Sequence, residues 1–252
     1  MYEVTALLFG VLCGLLILLS GVGAGVIMVP GLMLLFGVAP ASAVGTASLV
    51  SVLIKVVATY ANGRDSRVDW ALFRRFSLWA MPSCLLLALV ITLLLRTSWG
   101  ESVQHGLKLA VLAAAGFALL ASFRPQALQH VGQWLGGLMP STCGAMVGAT
   151  GVGGGVLIVP ALRAMSSADI KVVVGTSTVI GLLLSACTGL VFGGGGHLDP
   201  LLALLVTLGG AVGVMLGRPL AARLSSLAVS SLVYTLIGVS LLNMTYGLLL
   251  VQ

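Results

Sequence analysis

Long apolar runs alternate with short polar stretches along this chain. The runs fall at Val4–Phe36, Ala43–Ala61, Phe76–Leu95, Leu109–Phe123, Val131–Leu162, Val172–Phe192, Leu201–Leu216 and Leu227–Val251. About 20 apolar residues carry a helix across the hydrocarbon core of a bilayer. The pattern therefore predicts eight membrane-embedded helical segments joined by short loops. Two runs are too long for one crossing. Val4–Phe36 and Val131–Leu162 each exceed 30 residues, and straight helices of that length would measure ~50 Å against a core of ~30 Å. Both are interrupted midway by glycines and then by proline, so each is expected to be a broken helix or a re-entrant hairpin.

Composition narrows the class further. Of 252 residues, 59% are hydrophobic and only 7% are charged, whereas a soluble domain carries about a quarter charged residues. That excludes an ordinary cytosolic enzyme, a nucleic-acid binder and a disordered chain. The net charge of +6 sits mostly in the loops, where it sets membrane orientation. The N-terminus lacks a basic leader, and Leu7 to Leu19 runs into glycines rather than a small-residue cleavage site. It is expected to be a retained membrane segment. Neither end carries a long hydrophilic tail, so no attached soluble domain is expected. Cys13, Cys84, Cys143 and Cys187 all lie in apolar runs without a C-x-x-C pair. They are expected to be reduced packing residues, with no metal and no cofactor.

The chain repeats itself. Ser20-Gly-Val-Gly-Ala-Gly-Val-Ile-Met-Val-Pro30 aligns with Thr150-Gly-Val-Gly-Gly-Gly-Val-Leu-Ile-Val-Pro160 at an offset of 130 residues. The same offset pairs Cys13-Gly14 with Cys143-Gly144, Val44-Gly45-Thr46 with Val174-Gly175-Thr176, and Asp69 with Asp199. Without a gap, 16 of the 57 positions from Cys13 to Asp69 are identical to their mates. This divides the chain into a first transmembrane repeat (1–123), a connecting loop (124–133) and a second transmembrane repeat (134–252). Basic residues orient the halves, because cytoplasmic loops carry the excess of Lys and Arg. If each long segment enters and leaves on one side, Arg64, Arg67, Arg74, Arg75, Arg124, Arg163, Lys171, Arg218 and Arg223 share a side. Only Arg96 and Lys108 oppose them. The halves are then inverted, with both termini outside. Single crossings throughout would split the charges almost evenly.

Gly21-Val-Gly-Ala-Gly25 and Gly151-Val-Gly-Gly-Gly155 sit where the backbone must unwind inside the membrane. Glycine lets a ligand approach the main chain, and freed N–H groups need partners there. A helix restarting at Val26 and at Val156 would present bare N–H donors and the positive end of its dipole. Two such ends, related by inverted symmetry, would form an anion site near the midplane. Gly23, Gly25, Gly153, Gly154 and Gly155 are its candidate backbone residues. Close helix packing through small residues is the competing explanation. A dinucleotide-binding turn is disfavoured, since no βαβ unit surrounds these glycines.

The pattern G-x-G-G-G-x-x-x-x-P from Gly151 to Pro160, its near copy from Gly21 to Pro30, and the Gly-Thr pairs at Gly45-Thr46 and Gly175-Thr176 resemble the sulfite exporter (TauE/SafE) family. That family lies within the wider group of 4-toluene sulfonate uptake permeases. The resemblance covers essentially the whole chain. It implies a transporter of sulfur-containing anions such as sulfite or organosulfonates. Ala24 stands where the second copy has Gly154, so the two half-sites differ.

Polar residues inside the runs supply the remaining candidates. Thr46, Ser48, Thr176 and Thr178 carry hydroxyls able to donate to an oxyanion, or to cap or back-bond their own helices. Ser48, Ser51 and Lys55 recur at spacings of three and four, on one helical face. Lys55 is the one charge predicted well inside a span, near midplane depth, where a cation attracts an anion and marks a functional site. Its repeat mate is Ser185. Asp69 and Asp199 open the third segment of each half, as helix caps or as gating and coupling groups. His197 beside Asp199 is a third gating or coupling candidate, since an unperturbed imidazole titrates near physiological pH.

Together these features predict an all-α integral membrane protein of the plasma (inner) membrane, built from two inverted four-segment halves. The expected function is secondary transport of a small sulfur-containing anion by alternating access. Its partners are that anion, the lipid bilayer and a coupling ion, H+ or Na+. A homo-oligomer is compatible with the sequence, and nucleic acid is not a partner. The alternative is an anion channel, or a permease for another small anion. An enzyme is disfavoured, since His105, His130 and His197 lie far apart in loops.

Overall fold

Leucine, valine and alanine runs bounded by proline, glycine and aspartate fold as helices throughout. The computed structural model describes residues 1–20, 25–62, 68–123, 138–152, 155, 157–221 and 238. Among them we number α1 (Tyr2–Ser20), α2 (Gly25–Phe36), α3 (Pro40–Asn62), α4 (Trp70–Leu94), α5 (Gly100–Phe123), α6 (Met139–Thr150), α7 (Ile158–Met165), α8 (Ile170–Gly194) and α9 (Pro200–Ala221). No strand occurs among the described residues. Pro40 and Pro200 open their helices, where a missing N–H costs nothing. The connecting loop 124–133 and most of the Leu227–Val251 run lie outside the described residues.

The first long segment is a hairpin. The Phe36 ring at the end of α2 meets the edge of Tyr2 at 5.3 Å and Phe9 at 6.0 Å between centroids. A Cβ at Gly31 would strike the Phe9 ring. So α2 returns to the end from which α1 started. In the second long segment, α6 stops at Gly151, whose φ of 63° is left-handed. The chain then packs back, with Leu157, Ile158, Ala161 and Leu162 sharing a core with Met139 and Cys143. Here α7 starts at Ile158, two residues beyond the expected Val156, whereas α2 starts at Gly25, one residue before Val26. The second copy has Gly154 where the first has Ala24, and glycine is the weaker helix former.

Helices of one half pack against helices of the other. A Cβ at Gly10 would collide with the Val206 carbonyl, at Gly14 with Gly210, at Gly209 with the Leu7 carbonyl and at Gly213 with the Val11 carbonyl. These G-x-x-x-G spacings let α1 and α9 run parallel at close approach. The repeat-related pair behaves alike: Gly144 abuts Ala80 and Gly148 abuts Cys84, so α6 and α4 also run parallel. Between these pairs lie α3 and α8. Gly45 faces Phe192, Leu49 faces Gly189, and Lys55 faces Ser185. Position numbers rise along α3 as they fall along α8, so these two repeat mates are antiparallel.

Four described helices are long and apolar enough to cross a membrane: Pro40–Thr59, Trp70–Leu94, Ile170–Gly194 and Pro200–Gly217. Their outer faces are apolar, with Leu78, Leu86 and Leu93 exposed on α4 and Leu204, Leu208 and Leu216 exposed on α9. Such faces suit lipid. Exposed Trp70 and Trp99 bracket α4, as interfacial aromatics do. The chain is an all-α, multi-pass membrane protein.

Candidate functional site

The two glycine-rich breaks touch. A Cβ at Gly25 would overlap the Gly151 carbonyl oxygen and lie 3.2 Å from the Val152 Cα. Only glycine at position 25 permits this approach of the start of α2 to the end of α6. The left-handed Gly151 is secured locally, since the Thr150 Oγ1 donates to the Met146 carbonyl (2.6 Å) and accepts from the Val152 N–H (3.2 Å). Gly25, Gly151 and Gly155 are all buried. Gly23, Gly153 and Gly154 lie outside the described residues.

One face of α3 looks onto this junction. The Ser48 Oγ is 3.0 Å from where a Cβ at Gly151 would stand. Ser48 is fully buried and its hydroxyl has no hydrogen-bond partner; the same holds for the Ser51 hydroxyl one turn on. Lys55 lies seven residues beyond Ser48, ~10 Å of helix rise, on the same face. It is 4% exposed and is the one buried charged side chain among the described residues. Its ammonium contacts the Ser185 Oγ at 3.5 Å. No carboxylate partners it among the described residues. An ammonium and two orphan hydroxyls, all donors, present an acceptor-seeking surface in a low-dielectric interior.

The other hydroxyls are engaged. Thr46 Oγ1 accepts the Asp199 N–H at 3.0 Å, and Thr176 Oγ1 accepts the Asp69 N–H at 3.0 Å. These two bonds are related by the repeat offset and tie each half to the other at opposite ends of the bundle. Gly45 makes the first possible, because a Cβ there would strike the His197 carbonyl. Thr178 donates to the Val174 carbonyl of its own helix at 2.9 Å. The Asp69 Oδ1 accepts from the Ala71 and Leu72 N–H groups at 2.9 and 3.0 Å, and the Asp199 Oδ1 from Leu202 N–H at 3.0 Å. Both carboxylates cap the helices they precede.

His197 lies at the end of the bundle where Gly195 packs on Thr92. Burial and the neighbouring Arg96 charge hold its imidazole below the usual histidine range, so it is mostly neutral at pH 7. Sequence reasoning thus names Gly25 and Ser48, which meet at the junction with Gly151, and Lys55, two turns further along the same face of α3. It puts Ser51 on that face without giving it a role, and leaves Gly151 and Ser185 unassigned. The signal for Ser185 was its offset of 130 from Lys55; what the sequence lacked was that these two mates touch.

Comparison with known proteins agrees with this architecture. The family model described as "Sulfite exporter TauE/SafE" matches residues 6–244. The chain is 25% identical to "Probable membrane transporter protein YjnA" of Bacillus subtilis (strain 168), over 94% of this chain and 98% of that protein. It is 28% identical to "Probable membrane transporter protein YunE" of the same organism, over 95% of this chain and 97% of that one. No solved structure matches it significantly. With helices long enough to cross a bilayer and a family match over nearly its whole length, the chain belongs to the sulfite exporter TauE/SafE family of membrane transporters.

Proposed function

We propose that this protein is a secondary transporter of the plasma membrane that moves a small sulfur-containing anion, sulfite or an organosulfonate, by alternating access. One observation carries the reading. The glycine breaks meet beside a face of α3 bearing two orphan hydroxyls and a buried lysine without a carboxylate. A permanent structural lysine would be expected to have an acidic partner, since leaving a buried charge unpaired is costly. An oxyanion entering from water exchanges its hydration for these donors and supplies the missing negative charge.

The two halves are read as inverted. Their central helices α3 and α8 are repeat mates, are long and apolar enough to span the membrane, and run antiparallel. A two-fold axis relating them must then lie in the membrane plane. Rocking of one half against the other around a shared midplane site is the motion such symmetry supports. The relatives' names speak only of transport; the sulfur anion is taken from the description of the family, the donors fit a small anion, and the coupling ion, H+ or Na+, is left to experiment.

The test is flux in proteoliposomes. Purified protein is expected to give saturable, counter-exchanging movement of sulfite or methanesulfonate. Lys55→Ala is expected to lower the initial rate about tenfold or more, the equivalent of losing a hydrogen bond to a charged group. Non-saturating flux without counter-exchange would make the protein a channel. No flux of any sulfur anion by folded protein would reject the substrate class.

A further inference from the structure

We propose that Lys55 and Ser185 together form a single anion-binding point on the axis relating the two halves, and that this pair selects a monoanion over a dianion. The inference rests on the transport reading above and names a residue, Ser185, and a charge class for the same site.

The placement follows from symmetry. Lys55 and Ser185 are separated by 130 residues, the offset that superimposes one half on the other. A residue and its symmetry mate can touch only beside the axis. Their 3.5 Å contact therefore marks where the axis passes between α3 and α8. The Thr46–Asp199 and Thr176–Asp69 bonds, identical in kind and both 3.0 Å long, obey the same axis from opposite ends. A group on the axis faces both membrane surfaces equally. It serves inward- and outward-facing states from one position.

The chemistry at that point is deliberately unequal. One half contributes an ammonium and the other a hydroxyl. Ser185 is 4% exposed and its Oγ accepts from Nζ, which orients the ammonium and leaves its remaining N–H donors for a ligand. Nearby, Ser48 and Ser51 keep unpartnered hydroxyls, while their mates are Thr178, bonded to its own helix, and Gly181. The donors thus add up to one formal positive charge and two neutral hydroxyls, with no buried carboxylate among the described residues. A monoanion such as a sulfonate or bisulfite is neutralised there. A dianion would carry one uncompensated charge into the bilayer centre, which is strongly unfavourable.

A charge swap tests this directly. Lys55→Ser, Ser185→Lys and the double variant Lys55→Ser/Ser185→Lys are reconstituted beside the unmodified protein. Initial rates are measured for methanesulfonate, a permanent monoanion, and sulfate, a dianion. Lys55→Ser should lose about tenfold or more of the methanesulfonate rate, and the swap should recover most of it, because a buried charge–ligand interaction is regained at the symmetric position. Ser185→Lys alone, with two ammonium groups, should move the methanesulfonate-to-sulfate rate ratio toward sulfate by about tenfold. A folded swap no faster than Lys55→Ser overturns the proposal. Should the swap fail to fold, Ser185→Ala decides: a several-fold rise in KM supports the pair, and an unchanged KM refutes it. Absence of sulfur-anion flux in the unmodified protein would instead reject the substrate class on which this inference rests.

Discussion

At the scale of single residues, the hydroxyls divide into those that hold the protein together and those, Ser48 and Ser51, that have no hydrogen-bond partner. Thr46 and Thr176 belong to the first group. Each accepts a backbone N–H from the opposite half, and Thr46 and Thr176 are both fully buried. Thr46→Val is expected to leave the Asp199 N–H unpaired and to cost about 1–3 kcal/mol. Thr176→Val should cost a similar amount through Asp69, while serine at either position should retain most of the stability. Thermal unfolding in detergent measures all four. Equal midpoints for Thr46→Val and the unmodified protein would contradict the tether. The sequence named both threonines, but composition and spacing treat a hydroxyl alike whether it faces a ligand or a peptide N–H. Ser48, Ser51 and Lys55 were legible as a face because helical periodicity is local. Ser185 was not, because its meaning comes from a contact across the chain.

Elements show the same division between local and distant causes. The glycine interruptions of Val4–Phe36 and Val131–Leu162 were legible because ~50 Å of helix does not fit a ~30 Å core. The choice between kink and hairpin was not, and for Val4–Phe36 it is made by Phe36 returning to Tyr2 and Phe9. The small residues of α1 and α9 also have two possible uses, backbone exposure to a ligand or close helix packing. In the breaks Gly25 meets Gly151; along the helices Gly14 meets Gly210 and Gly213 meets Val11. The latter are packing glycines. Gly14→Val forces a branched side chain against the Gly210 backbone and should destabilise by about 1–3 kcal/mol. Gly106, where an added Cβ would meet nothing within 4 Å, is the control, and Gly106→Ala should not lower the unfolding temperature. Equal stability of Gly14→Val and Gly106→Ala would show that α1 and α9 do not pack as described.

For the molecule as a whole, we propose that the two halves cross the membrane in opposite senses about one axis, as the antiparallel repeat mates α3 and α8 suggest. Exposed Arg74, Arg75, Arg163 and Lys171 mark one end, and exposed Arg96 marks the other; by the positive-inside rule we propose that the first end is cytoplasmic. Val38 lies between α2 and α3, and Ala168 between α7 and α8. These loops are related by the repeat offset, so inversion puts them on opposite faces and a parallel repeat puts them on the same face. The native thiols Cys13, Cys84, Cys143 and Cys187 are buried, leaving a quiet background for labelling. The decisive measurement is maleimide accessibility of Val38→Cys and Ala168→Cys in intact cells, with an impermeant reagent. The account predicts that Val38→Cys labels from outside and Ala168→Cys only after the membrane is opened. Labelling of both from the same side would contradict the inverted halves and, with them, the axis on which Lys55 and Ser185 are placed.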